Sequence, residues 1–382
     1  MNKLTPPPPA GDAAQAPRTG GDRFNMDGHK LYWHLDRVHA WQQGERIAPL
    51  HIDMGIVTGC NMACTYCYGV IQGRSGYGTD KKGVFHMPRQ AILDTFSGAK
   101  DSGVRSIALI GEGENTLNPH LTDALEHGRS IGLDLSLATN GIRISPEPAD
   151  LDALLGGLVW LRVNISASNP DSFQRIHKSG HFERVLGNVR ALLARKREKG
   201  FATTIGLQMV LTADNVDDMV PLARIGAELG VDYLVIKPCS DTYDGTLGAP
   251  HQGYRDMADL MRQAEAQSTD GYRVIVKWVK MDNAGWKDYP VCFGTQFLMA
   301  ISGNGNVFPC GHWFDHRSDE FLMGNVIETP FAEIVKSERY WEVQQRVQTV
   351  NVNHDCESNC RQHYINRFLD RLGDRPDHIN FI

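Results

Sequence analysis

The sequence of 382 residues predicts an α/β fold built on a parallel β-sheet. From residue 51 onward, six short apolar segments, each bounded by Gly, Asn or Asp, alternate with longer stretches of helical pattern. Parallel strands need long crossover connections, which are usually helices, so this alternation favours a parallel sheet over an antiparallel one. Functional side chains are then expected at the carboxyl ends of the strands.

The elements follow in order along the chain. Strands are predicted at 51–57, 106–110, 134–138, 158–165, 203–211 and 233–236, and helices at 88–102, 119–131, 150–155, 171–199 and 216–229. After about residue 245 the alternation ends, and a helix at 254–268 and an apolar segment at 272–278 follow. Gly303-Asn304-Gly305 between apolar segments predicts a β-hairpin, because Asn-Gly favours tight hairpin turns. A helix from 330 to about 347 comes next.

These patterns divide the chain into four predicted regions. Residues 1–24 are rich in Pro, Gly and Ala and predict a disordered leader. Residues 25–50 form an ordered lead-in, 51–245 the α/β domain, and 246–382 a smaller C-terminal domain.

Composition excludes several classes of function. A net charge of -6 and a pI near 6.2 argue against nucleic-acid binding. The absence of an apolar run of about 18 residues argues against a membrane span, and the first residues lack an export signal. We therefore expect a cytoplasmic protein, in which eight cysteines are more often metal ligands or catalytic thiols than disulfides.

Three cysteines follow the first predicted strand with the spacing C-x3-C-x2-C: Cys60, Cys64 and Cys67. Three thiolates bind only three irons of a [4Fe-4S] cluster, so one iron stays open to a substrate or cofactor, whereas electron-transfer clusters use four cysteines. A zinc site is the alternative. It needs a fourth ligand, and only His51 and His86 stand nearby, at irregular spacing.

With Tyr66 before the third cysteine, this motif resembles that of the radical S-adenosylmethionine (SAM) enzymes. The resemblance implies a partial (β/α)6 TIM-like barrel, with SAM bound to the open iron. One electron from the reduced cluster then breaks a carbon-sulfur bond, and the resulting 5'-deoxyadenosyl radical removes a hydrogen atom from the substrate. A reducing partner such as flavodoxin or ferredoxin is implied as well.

Further positions resemble this family at the ends of successive strands. Gly113-Glu114 resembles its Gly-Gly-Glu-Pro motif, which holds the methionine amino group, although Asn115 replaces the proline. Each such motif alone is ordinary turn chemistry; their order along the strands carries the resemblance. The implied cofactor-binding residues are Tyr66, Gly113, Glu114, Thr139, Asn164, Ser166 and Gln208.

Four later cysteines, Cys292, Cys310, Cys356 and Cys360, are enough to ligate a second [4Fe-4S] cluster. With the predicted hairpin they resemble the SPASM and twitch modules of the same family. A full SPASM module carries about seven cysteines, so the resemblance implies the shorter twitch form with one auxiliary cluster. A four-cysteine zinc site is the alternative, since zinc also binds four thiolates tetrahedrally.

Cys239 stands alone, directly after the sixth predicted strand. It is either a small buried hydrophobe or a thiol that donates a hydrogen atom to a substrate radical, which gives epimerisation. If the radical instead loses a proton to a base and an electron to the auxiliary cluster, the reaction is a dehydrogenation. The residues that could supply the base are Glu114, His177, Lys237, Asp241, Tyr243 and Asp244.

Relatives with one auxiliary cluster resemble enzymes that act on sugars and aminocyclitols. We therefore expect a small-molecule sugar or aminocyclitol substrate and favour an epimerase using Cys239 over a dehydrogenase. A peptide-modifying enzyme is a third possibility, although only about fifty residues precede the barrel. A non-enzymatic metal scaffold would make the strand-end motifs a coincidence.

Overall fold

The computed structural model describes residues 24, 28, 30–71, 84–314, 316–374 and 376–381. The predicted leader, residues 1–24, lies outside the described residues except for Phe24. The described part of the lead-in contains a 3-10 helix at Leu31–Trp33 and a short α-helix, α1, at Leu35–Gln42.

A ten-stranded sheet forms the centre of the molecule. Its strands are β1 His51–Met54, β2 Ser106–Leu109, β3 Asp134–Thr139, β4 Trp160–Asn164, β5 Thr204–Leu211, β6 Tyr233–Pro238, β7 Arg273–Val276, β8 Leu298–Ile301, β9 Asn306–Phe308 and β10 Gly324–Asn325. Their order across the sheet is β10-β9-β8-β1-β2-β3-β4-β5-β6-β7. From β8 through β1 and on to β7, each strand is parallel to the next one in the sheet. Strand β9 pairs antiparallel with β8 on one side and with β10 on the other.

Helices connect the strands and cover the outer face of the sheet. They are α2 Tyr68–Ile71, α3 Arg89–Asp101, α4 Leu121–Ser130, α5 Pro148–Gly157, α6 Pro170–His177, α7 Phe182–Lys199, α8 Met219–Leu229, α9 Ala258–Glu265, α10 Trp278–Asp282, α11 Ser318–Phe321, α12 Phe331–Ile334, α13 Glu338–Val347 and α14 His363–Gly373. None of these helices in the described part of the chain has an apolar stretch long enough to cross a membrane.

The α/β prediction is confirmed, and all six predicted strands are present as β1 to β6. The sheet also continues past them on both sides, because β7 pairs with β6 and β8 pairs with β1. Helix α9 precedes β7, so this strand continues the strand-helix alternation beyond residue 245, whereas β8 follows the largely irregular segment 283–297. The C-terminal region is thus continuous with the barrel sheet.

Two helices predicted as single are interrupted. The predicted helix 171–199 divides into α6 and α7, because Lys178 takes a left-handed conformation with φ 53° before Ser179-Gly180. The predicted helix 330–347 divides into α12 and α13, and the Ser337 side chain caps α13 by accepting from the Tyr340 N–H. The first break matters for function, because it leaves His177 at a helix end.

The two faces of the barrel strands differ in chemistry. Successive side chains of a strand point to opposite faces. On β1, Ile52 and Met54 are fully buried in the apolar core that the sheet forms with the helices. His51 and Asp53 point to the opposite face, where Asp53 accepts hydrogen bonds from Arg361. The core therefore lies outside the strands, and the interior of the barrel is polar.

Candidate active site

The three N-terminal cysteines lie in one loop that follows the short strand Val57–Thr58. Burial, and then the neighbouring thiols of Cys67 and Cys60, raise the pKa of Cys64, which shows that the three side chains face one another. The Asn140 Nδ2 group donates to Asn61 Oδ1 at 2.7 Å and contacts Cys60 Sγ at 3.6 Å. The end of β3 thus holds this cysteine loop in place.

Gly113 occupies a position where the side chain of any other residue would clash with the backbone before the cysteine loop. A Cβ atom at this position would lie 2.2 Å from the Val57 carbonyl oxygen and 2.7 Å from that of Gly59. The next residue, Glu114, donates its backbone N–H to Gly59 O at 2.9 Å. The loop after β2 therefore packs directly under the cysteine loop, and this close approach requires glycine.

Glu114 connects the ends of β2 and β3. Its buried carboxylate accepts from Thr139 Oγ1 at 2.7 Å and from the Asn140 N–H at 2.7 Å. It also accepts from the side chain of Thr116 at 2.7 Å. The structure thus brings Gly113, Glu114 and Thr139 together beside the cysteines.

A second polar network surrounds Tyr66. The Tyr66 hydroxyl accepts from Asn164 Nδ2 at 2.7 Å and from Ser166 Oγ at 2.9 Å. The Asn164 Oδ1 atom in turn accepts from Gln208 Nε2 at 2.8 Å. Four predicted cofactor-binding residues therefore meet at the carboxyl ends of β4 and β5, although their contact with a cofactor stays a prediction.

His177 joins this network to the cysteine loop. Its Nε2 atom accepts from the Ser166 N–H at 2.9 Å, so Nδ1 carries the proton and donates to Cys64 Sγ at 3.1 Å. Burial lowers the pKa of His177 to about 3, which keeps the ring neutral. The sequence suggested His177 only as one of several possible bases; its contact with Cys64 depends on the break between α6 and α7.

Cys239 lies just beyond β6, 1% exposed, in a small apolar cluster with Tyr66 and Val210, and Cys64 packs at the edge of this cluster. Its backbone N–H donates to the Tyr254 hydroxyl at 2.8 Å. Burial, and then the Asp241 carboxylate, raise the pKa of Cys239 to about 12. The thiol therefore keeps its hydrogen at neutral pH and faces the same strand ends as the cysteine loop.

The four later cysteines come from three separate segments and converge. Burial and the thiols of Cys356, Cys292 and Cys360 raise the pKa of Cys310, so the four are neighbours. Helix α14 holds the first of them, because Asn366 Nδ2 donates to Cys292 Sγ at 3.3 Å.

The loop that carries Cys356 and Cys360 docks onto the end of β6. Ser358 and Asp241 exchange hydrogen bonds, with the Ser358 N–H donating to Asp241 O at 2.7 Å and the Asp241 N–H donating to Ser358 Oγ at 2.9 Å. Asn359 Nδ2 donates to Pro238 O at 3.0 Å. The auxiliary cysteines are therefore fixed beside Cys239.

Among the possible bases, Glu114 and Asp241 already accept several hydrogen bonds. The Asp241 carboxylate accepts from the backbone N–H groups of Thr242, Leu247 and Ala249, each at 2.8 Å. Both carboxylates thus have clear structural roles.

Sequence reasoning missed Tyr68, which directly follows the third cysteine. Burial, then the Glu357 carboxylate and the thiols of Cys310, Cys360 and Cys356, raise its pKa well above the usual value. Tyr68, which adjoins Cys67, therefore also lies near the auxiliary cysteines. Only its position next to Cys67 could have drawn attention to it.

Comparison with known families identifies two domains in the chain. Residues 54–224 match the radical SAM superfamily, and residues 292–362 match an iron-sulfur cluster-binding domain named SPASM. The second match begins at Cys292 and extends just past Cys360. These two domains imply SAM and [4Fe-4S] clusters, including an auxiliary cluster, as cofactors.

Two curated relatives match most of the chain. The AdoMet-dependent heme synthase of Methanosarcina barkeri is 24% identical over 309 residues, which cover 75% of this chain and 82% of the relative. A protein of Pyrococcus furiosus that modifies the cofactor of a tungsten-containing aldehyde ferredoxin oxidoreductase is 25% identical over 311 residues, covering 76% of this chain and 82% of that protein.

A solved structure shares the fold. Streptococcus suis SuiB bound to SAM superposes with a TM-score of 0.62 at 13% identity, covering 92% of this chain and 82% of SuiB. At this identity the likeness concerns the fold alone.

Proposed function

Since the chain combines a radical SAM domain with a C-terminal SPASM domain, we propose that it is an enzyme that epimerises a carbon centre of a small-molecule substrate. The hydrogen returned to that carbon comes from Cys239. The observation that carries this proposal is the position of the buried Cys239 thiol in one apolar cluster with Tyr66 and beside Cys64.

The described residues fit the implied cofactors. Cys60, Cys64 and Cys67 would hold a cluster with one open iron, and Cys292, Cys310, Cys356 and Cys360 would complete an auxiliary one. When bound, the open cluster and SAM supply a carbon radical that removes a hydrogen atom from the substrate.

The arrangement of these thiols bears on the zinc alternative. A zinc ion needs its ligands to converge on one point, whereas each thiolate of an iron-sulfur cluster binds a different iron. Within the part of the chain that the structure describes, no group of three or more His, Cys, Asp or Glu side chains is arranged around a single metal ion. The match of residues 292–362 to an iron-sulfur cluster-binding domain supports a cluster at the later cysteines.

The environment of Cys239 suits hydrogen donation. Its raised pKa keeps the hydrogen on sulfur, and an S–H bond is weaker than most C–H bonds. Donation moves one hydrogen atom to the substrate carbon and leaves a sulfur radical on Cys239. One electron from an external reductant, such as flavodoxin or ferredoxin, and one proton then restore the thiol.

Tyr66, Asn164, Ser166 and Gln208 would position SAM from one side, and Glu114 with Thr139 from the other. Gly113 would let the loop after β2 approach the cysteines. These roles follow from the family resemblance together with the hydrogen bonds that join the residues.

The substrate class stays a prediction. We retain a sugar or aminocyclitol as the proposed substrate, while the names of the similar proteins refer to heme synthesis, a protein cofactor and, for SuiB, a precursor peptide. A cytoplasmic location likewise stays a proposal.

The test is turnover in deuterated water with candidate sugars and aminocyclitols. We expect one deuterium at the inverted carbon. The variant Cys239→Ser, which keeps the shape of the side chain but lacks an S–H bond, should still form 5'-deoxyadenosine and release no epimer. Epimer formation by Cys239→Ser would contradict the role of the thiol.

Dehydrogenation is the second candidate, and the position of Tyr68 favours it. Tyr68 adjoins Cys67, and three auxiliary cysteines contribute to its raised pKa. It therefore offers a path for an electron from the barrel to the auxiliary cluster. An oxidised product without solvent hydrogen, formed equally well by Cys239→Ser, would support this candidate and exclude epimerisation.

A further inference from the structure

The interior of the barrel contains charged side chains that the proposed reaction does not use. Leu161 and Val163 of β4 are buried in the outer core, so Arg162 between them points into the barrel. Lys237 follows the buried Ile236 on β6 and points inward by the same alternation. Strands β4 and β6, which are separated by β5, thus each direct one cation into the interior.

The C-terminal region adds further charges to this space. Arg361 forms a two-point contact with Asp53, with Nε and a terminal nitrogen 2.9 and 3.1 Å from the two carboxylate oxygens. Lys280 Nζ donates to Cys360 O at 3.1 Å. Glu357 is buried, and its Oε2 atom has no hydrogen-bond partner among the described residues.

Charges of both signs therefore lie near one another in the barrel. The cations are Arg162, Lys237, Lys280 and Arg361, and the anions are Asp53 and Glu357.

Lys237 is at the centre of this group. Burial, then the charges of Arg162 and Lys280, lower its pKa to about 7, while Glu357 opposes the shift. Lys237 is nevertheless not fully buried. Among the residues that the structure describes, none forms a hydrogen bond or ion pair with its ammonium group.

We propose that Lys237 binds an anionic oxygen group of the substrate, a carboxylate or a phosphate. This inference rests on the proposed function, because it takes the barrel interior as the substrate chamber. Lys237 precedes Cys239 by two residues on the same strand end, so both side chains face the same side. A substrate anchored at Lys237 would therefore present its carbon atoms toward the thiol.

The competing explanation is that these cations only balance the negative charge of the auxiliary cluster. Lys280, which contacts Cys360, suits that role. The experiment therefore uses the reconstituted holoenzyme, in which the cluster charge is present. Its probes are inorganic phosphate and citrate, titrated by calorimetry against sodium chloride of equal ionic strength.

We expect saturable binding of at least one anion, and the preference between the two identifies a phosphate or a carboxylate. Lys237→Met should weaken binding about ten- to a hundredfold, as expected for the loss of a charge-assisted hydrogen bond. Lys237→Arg, which keeps the charge, should largely retain binding. Lys100→Met, on the exposed face of α3, removes a distant lysine and should change nothing.

Absence of saturable binding to the wild-type holoenzyme, or unchanged binding by Lys237→Met, would overturn the inference. The wild-type titration decides the matter even if Lys237→Met fails to fold. SAM cleavage is measured on the same preparations to separate the two proposals. SAM cleavage without anion binding would contradict only this inference. Anion binding without SAM cleavage would contradict the proposed function.

Discussion

The two groups of cysteines are held in opposite ways. Cys60, Cys64 and Cys67 occupy one loop of eight residues, and close packing against Gly113 and Asn140 fixes that loop. The other four come from segments separated by tens of residues and meet only when the C-terminal region has folded. On a [4Fe-4S] cluster, the three cysteines of the first group would leave one iron open, whereas the four of the second would ligate every iron.

From this difference we expect that each group of cysteines can lose its cluster without affecting the other group. Damage to the local loop should remove radical formation and spare the auxiliary module. Damage to the long-range contacts should remove the auxiliary cluster and spare SAM cleavage.

The largest effect is expected from replacing Cys60, Cys64 and Cys67 by alanine together. Iron content should fall from about eight to about four atoms per chain, because only the auxiliary set remains. Formation of 5'-deoxyadenosine should drop at least about 1000-fold, since no open iron remains to bind SAM. Iron analysis and chromatography of the nucleoside measure both quantities.

The matched control is the double variant Cys310→Ala and Cys356→Ala. It should also keep about four irons but continue to cleave SAM. Equal loss of cleavage in both variants would show that the two centres are not independent.

Gly113→Ala should destabilise the local loop. Its Cβ would meet the Val57 carbonyl oxygen at 2.2 Å, and we expect a loss of about 1–3 kcal/mol in the free energy of unfolding. The loss should appear as a lower thermal midpoint and as selective loss of the first cluster. Gly187→Ala in α7, where a Cβ meets no atom within 4 Å, should be neutral or slightly stabilising.

The variant Asn366→Ala tests how the four later cysteines are held in place. Asn366 accepts from the N–H groups of Phe293 and Gly294 at 2.8 and 2.7 Å and donates to Cys292. Loss of the Asn366 side chain leaves buried N–H donors unpaired, which should lower the free energy of unfolding by about 1–3 kcal/mol. Iron should then be lost from the auxiliary cluster before it is lost from the first cluster. Arg371→Ala on the exposed side of the same helix is the control; an equal loss of iron there would refute the assignment.

His177→Phe should give the smallest effect. It removes the N–H donor to Cys64, and hydrogen bonds to cluster sulfurs stabilise the reduced, more negative state. The potential of the first cluster should fall by on the order of 50 mV, equivalent to about 1 kcal/mol. Spectroelectrochemistry on the background lacking the auxiliary cysteines isolates this cluster, and His127→Phe on α4 should leave the potential unchanged.

The strand-end residues were predictable because their pattern is local. Apolar segments followed by Gly, Asn or Thr located β1 to β6, and the structure joins Tyr66 to Asn164, Ser166 and Gln208 at adjacent strand ends. Residues at the ends of neighbouring parallel strands are expected to lie close together, because these strands end at the same edge of the sheet.

Other features depended on distant partners and left no local pattern. His177 reaches Cys64 only because Lys178 adopts a left-handed conformation, and the helical periodicity runs straight across that break. Likewise, the inward direction of Lys237 follows from its strand, but its cationic neighbours come from β4, α10 and the segment before α14. Sequence spacing cannot report contacts between residues that far apart.

The pairing of β1 with β8 has a consequence for biosynthesis. Ile52 lies opposite Met299, so one edge of β1 stays uncovered until 247 further residues have been made. At about 5–20 residues per second, that edge is exposed for roughly 12–50 s on the ribosome. An open strand edge is a template for wrong pairing, so slow translation of the middle of the chain should increase aggregation, and a faster arrival of β8 should reduce it.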